Sequence, residues 1–248
     1  MELWEYILLF SCVLIGGGIG MIFKKYDQKY LTHLLTFSGA YIMGIAILHL
    51  MPIAFHQGGS YTGMAMLAGF FVQLLLEQLS GGVEHGHIHA HGHRNYAYLG
   101  QVVLGLCLHA FFEGLPLGNY ESLNLHAGHN HSDTHLLYGI ILHKAPAAFA
   151  LTALLIASGY KSNIIIFCLI IFASMSPLGA GLAEYLGESG WLDAEKQQLI
   201  IAFVVGSFLH IATTILFETE SGGHHKLPLL KLGMIAVGLF FALLTTFH

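Results

Sequence analysis

Charge is what this chain has least of. Of its 248 residues only 9% are Asp, Glu, Lys or Arg, whereas a soluble domain carries about 25%. A water-facing surface needs more ionic groups than that, so the composition excludes an ordinary soluble domain. No basic run is present to meet nucleic acid, and a formal charge of −5 points to no partner. Cysteine is almost missing: Cys12, Cys107 and Cys168 each lie in an apolar stretch and offer no disulfide framework. There is no Walker A sequence and no Asp-Lys-Thr motif, which argues against ATP as an energy source. No His-Glu dipeptide occurs, which removes the His-Glu-x-x-His helix of an intramembrane metalloprotease. No enzyme activity is expected.

What the chain does have is apolar residues, 55% of the total, with a mean hydropathy of +0.69. Read against polar breaks, the apolar runs give eight windows: 4–23, 31–54, 61–80, 97–118, 136–159, 162–186, 197–217 and 228–247. Each is near the ~20 residues that a membrane helix needs, so the expectation is an all-α integral membrane protein. Residues 1–248 then form one transmembrane transport domain. The first window opens Met-Glu-Leu-Trp-Glu-Tyr, acidic where a signal peptide is basic, and reads as a retained helix. Basic residues in short loops set the orientation. With the N-terminus outside, the inner side holds Lys24, Lys25, Lys29, Arg94, Lys161, Lys226 and Lys231, and the outer side only Lys196. Both termini are therefore expected on the outer face of a plasma or inner membrane. Pro52, Pro116, Pro146 and Pro177 fall inside windows, where each frees the carbonyl four residues earlier and bends its helix.

An ionisable group in hydrocarbon costs roughly 2.5–3.5 kcal/mol even on the mildest scale, so each one needs a reason. Span four contains His109-Ala-Phe-Phe-Glu113, and span five contains His143-Lys144-Ala-Pro146. His109 and Glu113, four residues apart, share a helix face. His109 lies nine residues from Gly118, and His143 eight from His135. At about 1.5 Å per residue, a hairpin of these two spans brings both imidazoles to one depth. Two imidazoles and a carboxylate suit a borderline divalent metal; helix–helix hydrogen bonding is the plainer use of such groups. Lys144 stands ~100° of helix from His143, able to neutralise Glu113. Its alternative is to snorkel to the interface. His49 in span two and His210 in span seven either line a route for the ion or join helices by hydrogen bonds. Glu77 and Glu184 lie near span ends, within reach of water. Gly16, Gly20 and Gly179-Ala-Gly181 allow helices to approach closely.

Histidine itself is over-represented, 18 residues against nine Lys and Arg. Residues 81–96 form a cytosolic loop carrying His85, His87, His89, His91 and His93 at strict period two, a flexible chelating pattern. Residues 119–135 form an outer loop carrying His126, His129, His131 and His135. Imidazole without thiolate favours Zn²⁺ and its neighbours over Cu⁺. The expected role is capture outside and buffering inside, modulating transport.

The string His109-Ala-Phe-Phe-Glu113-Gly-Leu-Pro-Leu-Gly118, followed by His143-Lys144-Ala-Pro-Ala-Ala-Phe149, resembles the signature of the ZIP family of divalent-metal transporters, in the branch that includes the animal zinc importers. His49-Leu-Met-Pro52, Glu77-Gln78 and Ser176-Pro-Leu-Gly179 match as well. The resemblance implies eight helices in a 3+2+3 inverted-repeat arrangement around a central metal site. It also implies an elevator-like import of Zn²⁺ as transported substrate, without organic cofactor, and often a homodimer. His109, Glu113 and His143 carry over as ligands, with Ser176 on the route. Two-metal members have carboxylates at the positions of Lys144 and Ala147 and an asparagine at that of Ala110. Their absence here implies one metal, with Lys144 substituting for the charge of the second. Fe²⁺, Mn²⁺, Cd²⁺ and Co²⁺ are alternative cargoes and export the alternative direction; a di-haem electron carrier is the rival from another class.

Overall fold

Backbone amides in hydrocarbon have no water to bond, so each apolar run must satisfy its own N–H and C=O groups by coiling. The computed structural model describes residues 1–23, 28–56, 59–83, 95–119, 134–217 and 228–245, and among these it is helical with no strand. We number the helices α1 (Leu3–Ile22), α2 (Gln28–Ile45), α3 (Met51–His56), α4 (Thr62–Ser80), α5 (Tyr96–Gly114), α6 (Thr134–Ala157), α7 (Ser162–Glu188), α8 (Ala194–Phe217) and α9 (Leu229–Leu244). Seven stretches are long and apolar enough to cross a membrane: α1, Lys29–His56, α4, Tyr96–Gly118, α6, α7 and α8. The eighth window, expected at 228–247, holds α9, whose 16 residues fall short of a full span. Large apolar side chains such as Ile15, Phe71, Phe167 and Phe240 point outward, while Gln73, His109, Glu113, His143 and Lys144 are buried. That inversion suits a lipid surround.

The prolines act locally in different ways. The Pro52 ring would clash with the carbonyl of Leu48, and the helix widens there into a π-helical turn, Ala46–Leu50, that links α2 to α3. Before Pro116 the helix tightens into a 3₁₀ turn, Leu115–Asn119, and the carbonyl of Phe112 accepts from Leu115 N–H instead. Pro146 and Pro177 remain inside α6 and α7. Asn95 starts α5 by accepting from Ala97 and Tyr98 N–H at 3.0 and 3.2 Å.

Glycine decides which helices lie closest. A Cβ on Gly69 of α4 would sit 1.8 Å from the carbonyl oxygen of Phe203 on α8, and one on Gly206 of α8 equally close to that of Met66 on α4. Side chains on these residues would push the two helices apart. On the other side of the molecule, Gly114 of α5 faces Ser176 O and Gly179 of α7 faces Phe111 O, each at 2.2 Å by the same measure. Gly16 sets α1 against Ala145 of α6 in the same way, at 2.3 Å. Two groups of helices result. One contains α1, α5, α6 and α7; the other contains α2, α3, α4, α8 and α9. They meet along a seam where α2 packs on α6 and α4 on α5.

Candidate metal centre

His109 and Glu113 share the buried face of α5, and α6 presents His143 to the same point. Among the described residues these three form the one group of at least three His, Cys, Asp or Glu side chains able to share an ion, with one ligand atom from each within 4.8 Å of the others. Glu113 Oε1 lies 3.1 Å from His109 Nε2 and 4.0 Å from His143 Nε2. The imidazole rings meet edge to face with centroids 5.8 Å apart. All three side chains are essentially sealed from the surface. Neither oxygen of Glu113 accepts a hydrogen bond from the described residues, although both are buried. A buried carboxylate left so is costly, and a cation drawn to that point removes the cost. The donor set of two nitrogens and a carboxylate oxygen suits a borderline divalent ion.

Lys144 does not snorkel; about 1% of it is exposed. Among the described residues it makes no direct ion pair with Glu113, so any neutralisation of that carboxylate acts through space. Its ammonium instead donates to Ser176 Oγ, and that hydroxyl donates to Ala110 O at 2.5 Å. The charge also lies 5.2 Å from the centre of the Phe172 ring, a cation–π distance. The reason is the glycine contact between α5 and α7, which draws the Ser176 backbone against Gly114 and brings its hydroxyl to Lys144.

The other expected residues are placed apart from this centre. His49, inside the π-helical turn, meets Thr245 Oγ1 through Nε2 at 3.1 Å, and its ring lies 6.2 Å from that of His135. His210 of α8 contacts Glu77 of α4, Nε2 to Oε2 at 2.5 Å, and stacks edge-on against Phe70. Glu77 thus has a protein partner where water was expected. Glu184, whose side chain stays part-exposed, accepts from Tyr6 Oη at 2.5 Å. All three cysteines are free and buried. His85, His87, His89, His91, His93, His126, His129 and His131 lie outside the described residues.

Two residues at the centre were not expected. Gln73 of α4 receives His109 Nδ1 on its Oε1 at 3.1 Å, and Ser207 of α8 donates to the same oxygen at 3.0 Å. A signal existed in that Gln73 is an amide in the middle of its apolar run and stands one turn before Glu77.

Known proteins resemble this chain over much of its length. The family model described as ZIP Zinc transporter matches residues 84–246. Zinc transporter ZIP9-B of Xenopus laevis is 30% identical over 174 aligned positions, covering 67% of this chain and 56% of that protein. Zinc transporter ZIP9 of Micropogonias undulatus is 31% identical over 168 positions, 65% of this chain and 53% of its own length. Zinc transporter ZIP1 of Bos taurus is 26% identical, covering 94% of this chain and 83% of that protein. The chain spans about half the length of the ZIP9 relatives it matches.

Proposed function

The chain belongs to the ZIP zinc transporter family, and on that premise we propose that it carries divalent metal ions, Zn²⁺ foremost, across a membrane toward the cytosol. His109, Glu113 and His143 hold one ion at a time. The observation that carries this reading is the convergence of one ligand atom from each within 4.8 Å, deep between helices in a chain so poor in charge. Mixed nitrogen and oxygen ligands without thiolate bind firmly enough to strip water from the ion and loosely enough to release it.

In this reading α9 completes eight membrane crossings in the 3+2+3 arrangement, and both termini face outward, following the excess of Lys and Arg in the inner loops. The group of α1, α5, α6 and α7, which carries the ligands, slides past the other group, in keeping with the single seam between them. His49 and His135 stand on the outer approach, with Ser176 beside the centre through Lys144. The histidines of 81–96 and 119–135 collect and buffer ions on either side. The ammonium of Lys144 takes the place of a second cation, so the centre holds one. Fe²⁺, Mn²⁺, Cd²⁺ and Co²⁺ are the competing cargoes, and two copies form the working unit.

Uptake of Zn²⁺ into proteoliposomes containing a trapped indicator tests the reading, with each other ion added in competition. Uptake by the wild type and its loss in Glu113→Ala, with that variant still inserted, is the expected result. Normal accumulation by Glu113→Ala would remove the carboxylate from the mechanism, and wild-type vesicles that only lose the ion would reverse the direction.

A further inference from the structure

Gln73 lies midway along α4, with about 1% of it exposed. Its Nε2 is buried and finds no acceptor among the described residues. A leucine would fill similar space without leaving an amide nitrogen unpaired, so packing does not account for this residue. Its oxygen does more. Neutral imidazole carries its proton on one nitrogen and offers a lone pair from the other, and the partner of the first nitrogen decides which is which. An acceptor 3.1 Å from Nδ1 keeps the proton there and leaves the lone pair on Nε2, the atom that faces Glu113. Ser207 Oγ, donating to the same Oε1, holds the amide in that orientation.

The two ends of this bond belong to different helix groups. His109 stands on α5, in the group that also supplies Glu113 and His143. Gln73 and Ser207 stand on α4 and α8, pressed together at Gly69 and Gly206. We propose that Gln73 is a positioning residue that orients His109 across the seam, so that the ligand set is complete only while the two groups hold the registration seen here. Relative sliding parts His109 from its acceptor, frees the ring to turn, and loosens the ion. The proposal rests on the metal-binding reading above and adds to it a residue that touches no ion.

The test is equilibrium binding of Co²⁺ to the purified full chain, since the visible absorption of Co²⁺ reports the number and kind of its ligands. Zn²⁺ uptake on the same samples gives KM and maximal rate. Gln73→Leu, which cannot accept, is expected to weaken binding 10- to 100-fold, to dim the absorption band and to raise KM with the maximal rate little changed. Gln73→Glu, which can only accept, is expected to restore affinity to within about threefold of wild type. Ser207→Ala removes one hydrogen bond from the amide and shifts affinity two- to five-fold in the same direction. Wild-type affinity and spectrum in Gln73→Leu overturn the proposal, as does a Gln73→Glu variant as weak as Gln73→Leu. If Gln73→Leu does not fold, unchanged affinity in Ser207→Ala overturns it. A wild type that binds no Co²⁺, or a His109→Ala variant that binds it fully, defeats the metal-binding reading itself.

Discussion

Among the described residues, histidine meets buried or half-buried glutamate at Glu77 and at Glu113, and the two places differ in what the carboxylate has left to give. His210 and Glu77 join α8 to α4 one to one, with a 2.5 Å contact between partner atoms. His109 and His143 instead share a single oxygen of Glu113, at 3.1 and 4.0 Å, and no hydrogen bond is made to that carboxylate. The first arrangement pairs one imidazole nitrogen with one carboxylate oxygen and ties two helices, although His210 Nδ1 stays buried without a partner among the described residues. The second brings lone pairs together from two helices, an arrangement that could hold a cation. Residue type alone does not separate these cases; how the acceptors are satisfied does.

The largest effect expected from breaking this contrast is at Glu113. Glu113→Gln keeps the shape and removes the charge, and should lower Zn²⁺ uptake by ~100-fold or more, beyond the ~10–100-fold usual for losing a ligand's hydrogen-bond partner. Equal losses in Glu77→Gln, measured in the same vesicles, would erase the distinction between the two contacts. Next comes Lys144→Met, which takes a positive charge from beside the centre. It should tighten Zn²⁺ binding by roughly 1–2 kcal/mol, with titration calorimetry as the readout. Weaker binding would mean that the ammonium supports the ligand set rather than opposing the ion. Glu77→Gln itself should cost stability, about 1–2 kcal/mol, seen as a lower thermal midpoint in detergent while KM stays near wild type. The smallest effect is expected from replacing His85, His87, His89, His91 and His93 by serine. Uptake should change by no more than about threefold, because imidazoles that only raise the local ion concentration do not form the transport centre; abolished uptake would place the essential ligands among these five residues.

How much of this was legible beforehand depended on the kind of signal. The meeting of His109, Glu113 and His143 follows from helix periodicity and from counting residues to a shared loop, both of which survive in a bare sequence. Which neighbour receives Lys144 does not. Its place beside His143 made Glu113 the natural counter-ion, yet the close approach of α5 to α7 at Gly114 and Gly179 puts Ser176 within reach first. Gln73 was obscured for a related reason: an amide inside an apolar run shows no period, and its meaning comes from α8 on one side and α5 on the other. The eighth window was readable as a helix but not as a short one, because its apolar run continues past Leu244, where the helix ends.

The burial of Lys144 has an electrical consequence. On the function proposed above, a carboxylate at Glu113 and an ammonium at Lys144 cancel, so the centre holding its ion would carry that ion's full double charge. Each elementary charge crossing a potential of 100 mV is worth about 2.3 kcal/mol, or about 4.6 kcal/mol for a divalent ion. An inside-negative membrane would then pull cargo inward without any co-transported species, and uptake into vesicles clamped by a potassium diffusion gradient should rise steeply as the interior is made more negative.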